Sequence, residues 1–162
     1  GDGSHNALAL YRSVLAQAPG HRSALAGIDA IGRSLAERGL EGVKAGDLEA
    51  ARGALAHAQP LAPGAQVVVR LAARIHELDG ARGLLAQAQA RLDAGNLTQP
   101  AEDSAVTLVM RLLDLPNPPA GTEALRAALV ERLEAVAADA IAYDMTREAA
   151  PYTAAARALS SG

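Results

Sequence analysis

The chain has 162 residues, half of them apolar, with no Cys, no Phe and no Trp. Lys and Arg number 15 against 18 Asp and Glu, a formal net charge of −3, which argues against non-specific nucleic-acid binding. The lack of cysteine excludes disulfides and thiolate metal sites, and the uncharged apolar runs fall well short of the ~20 residues of a membrane span.

Alanine and leucine dominate the apolar half, and both are strong helix formers. No stretch shows strand-like alternation, so the sequence predicts an all-α fold of about seven or eight helices. The first is expected over residues 6–18, with Ser4 as N-cap and Pro19, Gly20 and His21 as its stop. A second follows over 22–45, carrying Leu25, Ile28, Ile31, Leu35, Leu40 and Val43, with Gly39 and Gly42 marking a place where it could break. The turn AGDL at 45–48 offers Asp47 as N-cap for a helix over 48–58, which PLAPG at 60–64 ends. Residues 65–94 are helical by composition, and the Asp79-Gly80 pair divides them into two helices, with one bent helix as the alternative. A loop at 94–100 precedes a helix over 102–115, and PNPPAG at 116–121 separates that from a long helix over 122–142 capped by Thr122. YDMT at 143–146 turns the chain into a last helix over 149–160, where Pro151 is tolerable in the first turn.

The chain repeats itself. ALALYRSVLAQAP, which starts at Ala7, has the same spacing of small, large and proline residues as ARGALAHAQPLAP, which starts at Ala51. The pattern returns at Ala105, Val109 and Leu112 and at Ala149, Thr153 and Ala156, with steps of 44, 54 and 44 residues between copies. A duplication with a period near 98 residues maps Leu35 to Leu133, Leu15 to Leu113 and Gly46 to Asp144. Such recurrence predicts tandem helical hairpins that share a core, because one hairpin cannot bury its own apolar face. We expect one helical-repeat domain over 1–162, with halves at about 1–64 and 97–162 and central helices over 65–94.

The second copy is similar to the tetratricopeptide repeat. Gly39 falls at the small position of its first helix, Gly46, Asp47 and Leu48 match the turn, and Ala51, Leu55, Ala58 and Pro63 match the second helix. Asn117 and Ser161 stand where copies three and four would carry proline. The resemblance implies a degenerate α-α array whose first helices line a groove for a protein or peptide partner. Carried over by position, it puts Ala36, Leu40 and Val43 on that groove, with Glu134, Ala138 and Ile141 as their duplicates and Arg70 and Arg74 from the helix that follows. The Lys/Asn set of the chaperone-tail-binding members is not matched.

LTQP at 97–100, YRSVL at 11–15 with PGH at 19–21, and AGDL at 45–48 give a looser resemblance. Together they look like the extracytoplasmic repeat regions of proteobacterial membrane-tethered Ser/Thr kinases and TonB-type energy transducers. That resemblance implies a periplasmic sensor or docking domain, with a cytoplasmic location as the alternative. The opening GDGSH leads straight into a helix, so the chain reads as a fragment of a longer protein.

Candidate chemistry is sparse. His5, His21, His57 and His76 have no ligand spacing among them, and GLEGVKAG at 39–46 lacks the preceding strand and spacing of a phosphate loop. His76, Glu77 and Asp79 are the one weak metal candidate. The serines lie in no nucleophile elbow, and the carboxylates alternate with arginines as on a solvated helix face. The expectation is therefore no catalytic set, no cofactor and no metal. Arg70 and Arg74, one helical turn apart, could clamp an anion. Val67, Val68, Leu71, Ile75 and Leu78 form a broad stripe that reads as a central buried helix, or alternatively as a homodimer face. The function expected is a non-catalytic interaction scaffold that inserts no segment into a membrane.

Overall fold

A computed structural model describes residues 3–161, with side chains from Asn6 onward. The expectations for Ser4 as a cap and for His5 fall outside the described side chains. Among the described residues the fold is all-α, with no strand and seven helices: α1 (Gly3–Gln17), α2 (Arg22–Lys44), α3 (Leu48–Ala58), α4 (Gln66–Asp93), α5 (Ala105–Leu113), α6 (Thr122–Ala142) and α7 (Thr146–Ser160). The chain divides into two compact units, Gly1–Glu77 and Leu78–Gly162.

The first unit holds α1, α2, α3 and the first three turns of α4. The Nδ1 of His21 starts α2 by accepting from the Ala24 N–H at 3.2 Å. Helix α2 then runs unbroken past Gly39 and Gly42. These glycines mark packing sites instead. A Cβ at Gly39 would lie 2.5 Å from Leu71 Cδ2 of α4 and 3.0 Å from Ala54 Cβ of α3. A Cβ at Gly32 would lie 2.7 Å from that of Ala62, and one at Gly27 would strike the Tyr11 ring of α1. The α2–α3 hairpin turns at Gly46, whose φ of +79° suits glycine. Gly46 N–H donates to the Val43 carbonyl and Asp47 N–H to that of Gly42, a Schellman stop. Asp47 caps α3 as expected, its carboxylate accepting from the Ala50 N–H at 2.9 Å.

The second unit contains the remainder of α4 with α5, α6 and α7. Its core is a leucine layer: Leu97, Leu108, Leu112, Leu125, Leu129, Leu133 and Leu159 are buried, with Ala88, Val109 and Ala156 between them. Helix α5 begins at Ala105, later than expected. Ser104 caps it through the Thr107 N–H at 3.2 Å, and the loop carbonyls of Asn96 and Leu97 take the N–H groups of Ala105 and Val106. Thr122 is not the N-cap of α6: Gly121 is, and the Thr122 hydroxyl donates back to the Pro119 carbonyl at 2.8 Å. The α6–α7 hairpin turns at Asp144, with φ +62°. The Asp144 N–H donates to the Ile141 carbonyl and the Met145 N–H to that of Ala140, the same Schellman pattern as at Gly46. Helix α7 starts at Thr146, three residues earlier than expected, because that turn is complete by Met145. Arg126 of α6 donates to the Leu159 carbonyl at 3.0 Å near the end of α7. Arg91 and Asp103 pair, and the hydrogen bond, followed by the charge, of Asp103 raises the guanidinium pKa of Arg91.

The two helices expected over 65–94 are a single helix. Asp79 and Gly80 lie inside α4, where a Cβ on Gly80 would meet open space. An interior glycine costs about 1 kcal/mol of helix propensity relative to alanine; α4 carries two, Gly80 and Gly83, and the Leu, Ala, Arg and Gln residues around them outweigh that.

Candidate functional site

The small positions of the sequence pattern are buried in α3, α5 and α7, whereas Ala7 in α1 is half-buried. Ala51 and Ala58 are inaccessible, as is Ala105, and Ala149 and Ala156 are nearly so. In the first unit this draws α3 against α2: a Cβ on Gly42 would lie 3.4 Å from the Ala51 nitrogen. Leu71 seats on Gly39 and brings α4 to the same helix. Next to that contact, α2 and α4 leave a groove of about 430 Å³.

Each helix contributes one stripe. Helix α2 presents Glu37, Leu40, Glu41, Val43 and Lys44, and α4 presents Val67, Arg70 and Arg74. The spacings, mostly three and four residues, keep each set on one helical face. Leu40 and Val43 are half-buried and Val67 is buried, so the floor is apolar. The rim is charged. Lys44 Nζ lies 2.8 Å from Glu41 Oε1, and Arg74 Nη1 lies 2.9 Å from Glu77 Oε2. Arg70 has no ion-pair partner among the described residues. Of the two-arginine clamp read from the sequence, one member thus already holds a carboxylate of its own helix.

Four of the expected groove residues, Leu40, Val43, Arg70 and Arg74, come together here. Ala36 does not line the groove. It is fully buried, and Glu37, the next residue, takes the rim position. Ala138 and Ile141 belong to the second unit, where both are exposed on α6, Ile141 by 56%. Glu134 lines a separate hollow of about 380 Å³ with Arg126, Val130 and Glu131 on the α6–α7 hairpin. Sequence reasoning missed Glu37, Glu41, Lys44 and Val67. The signal was present: 37, 40, 41 and 44 form a continuous helical stripe, and Val67 stands three residues before Arg70.

Of the expected α4 stripe, Val67, Val68, Leu71 and Ile75 are buried and Leu78 is half-buried, whereas Val69 is 58% exposed. His57 is exposed, with Nδ1 2.7 Å from the Gly53 carbonyl. Among the described residues no three His, Asp or Glu side chains gather as a metal site, and His76, Glu77 and Asp79 do not form one. No helix among them is long and apolar enough to cross a membrane. Comparison of the chain with protein-family models, with curated proteins and with solved structures returned no match.

Proposed function

We propose that the chain is a non-catalytic interaction module that takes a peptide segment of a protein partner into the α2–α4 groove. One observation carries this reading: an apolar floor of Leu40, Val43 and Val67 lies open between two helices and is rimmed by charged side chains. Apolar anchors set in a groove with a polar rim are how helical proteins hold a peptide. The tetratricopeptide-like reading of the sequence points the same way, since α2 would be the groove-lining helix of its hairpin. The flanking ion pairs, Lys44–Glu41 and Arg74–Glu77, are exposed. Pairs of that kind contribute about 0–1 kcal/mol, so a partner can replace them at little cost.

The test is a selection of displayed random peptides on the full chain, followed by a nitrogen-15 NMR titration with the strongest binder. Backbone shifts should concentrate at Leu40, Val43 and Val67. Leu40→Glu, which puts a charge on the floor, should abolish binding while the helical circular dichroism is retained. Binding that maps elsewhere and survives Leu40→Glu would remove the proposal.

A further inference from the structure

Two hollows meet at one arginine. Arg70 lines the α2–α4 groove with Leu40, Val43 and Val67, and it also lines a second depression of about 330 Å³ with Gly64, Gln66, Val69 and Ala73. One arginine therefore borders two hollows with largely apolar linings. It is also the groove cation left unsatisfied: Lys44 is held by Glu41 and Arg74 by Glu77. An exposed guanidinium beside apolar surface is a site for an acidic group, because a carboxylate accepts two parallel N–H bonds from its fork.

From this juxtaposition we infer that the partner segment carries an Asp or Glu flanked on both sides by apolar side chains. Its carboxylate seats on Arg70 and its apolar neighbours fill the two hollows. The inference rests on the groove reading above and names the chemistry of the occupant. Glu37 lines the same groove, and Glu41 there is already paired with Lys44. A phosphate ester, with nearly two negative charges, doubles its attraction to Arg70 and its repulsion from Glu37 alike, but its second charge has no cation left to pair with, because Lys44 and Arg74 are held by Glu41 and Glu77.

The experiment uses the displayed-peptide selection with one further step. The strongest clones are synthesised with a fluorescent label and titrated by anisotropy against the full chain and against Arg70→Gln, Arg70→Lys, Arg74→Gln and Leu40→Glu. The selected sequences should share an acidic residue with Leu, Ile or Val on both sides. Arg70→Gln should weaken binding about tenfold, equivalent to ~1.4 kcal/mol. Arg70→Lys should recover part of the loss, since it keeps the charge without the fork. Arg74→Gln should change binding less, because its charge is already paired. Exchanging the acidic residue for phosphoserine should weaken the complex, and neutralising it should remove the effect of Arg70→Gln. Groove-dependent clones that lack an acidic residue, that are indifferent to Arg70→Gln, or that bind more tightly as phosphopeptides would overturn the inference and leave the groove reading standing. Clones indifferent to Leu40→Glu would overturn both.

Discussion

The two units close their cores by opposite means. In Gly1–Glu77 the helices approach through missing side chains: Gly39 lies under Leu71, Gly32 under Ala62, and Gly42 against the backbone at Ala51. In Leu78–Gly162 the gap between helices is filled by leucines such as Leu112, Leu129, Leu133 and Leu159, all essentially inaccessible. Alanine and glycine bury little area each, so the first unit depends on close backbone approach, whereas the second depends on volume. The groove forms beside one such close approach, the Gly39–Leu71 contact. A leucine-filled interface would occupy that space.

Removing volume should therefore hurt the second unit most. Leu129→Ala, at a position with no exposure, should cost about 2–5 kcal/mol through lost burial and the cavity left behind. Urea titration followed by circular dichroism measures it. A loss well under 1 kcal/mol would mean that the leucine layer collapses around the gap and that the contrast between the units is overdrawn.

Adding volume should hurt the first. Ala51→Leu, also at a position with no exposure and facing Gly42, should cost about 1–3 kcal/mol from overpacking. An unchanged melting temperature would show that α2 and α3 can separate freely, and the small-residue account of this unit would fall.

The difference between the units was only partly legible in the sequence. The all-α class followed from alanine and leucine content, and the α2–α3 hairpin from Gly46 and Asp47, whose roles are local and carried by residue type. Gly39 was legible as a small packing position only through the tetratricopeptide resemblance; from the residues alone it read as a place where α2 could break. The continuity of α4 was not, since a glycine inside a helix is a modest penalty that the flanking residues decide. Thr122 was misread for a related reason: a hydroxyl beside a helix start has two carbonyl and N–H partners within reach, and only the backbone of Pro119 shows which one it takes. Of the candidate site, the residues at helical spacing were readable. Which cation of the groove stays unpaired was not, because that depends on where Glu41 and Glu77 turn.

The two hairpin turns sharpen the comparison at a smaller scale. Asp47 caps α3 with its carboxylate, whereas Met145, which holds the same place before α7, offers no side-chain cap. Asp47→Ala should cost about 1 kcal/mol, and Met145→Asp should return a similar or smaller amount to the second hairpin. Thermal melts of both variants check this. If Met145→Asp gains nothing while Asp47→Ala loses a full cap, the N–H groups at the start of α7 are already satisfied by solvent.

The smallest effect is expected at the turn residue itself. Gly46 and Asp144 both have positive φ, +79° and +62°, and both close the same pair of hydrogen bonds from the two residues after the cap. Glycine adopts that backbone without strain, whereas a residue with a Cβ pays a conformational penalty that is softened for Asp and Asn by local hydrogen bonding. Glycine also loses more freedom on folding, which offsets part of the relief. Asp144→Gly should accordingly stabilise the second unit by a few tenths to about 1 kcal/mol, and Gly46→Asp should destabilise the first by a comparable amount. Both sides of this exchange read the same backbone conformation, so they should be close to equal and opposite. A large loss in Gly46→Asp with no gain in Asp144→Gly would mean that the Asp144 carboxylate stabilises its own turn, and that the second hairpin replaces glycine's freedom with a side-chain bond.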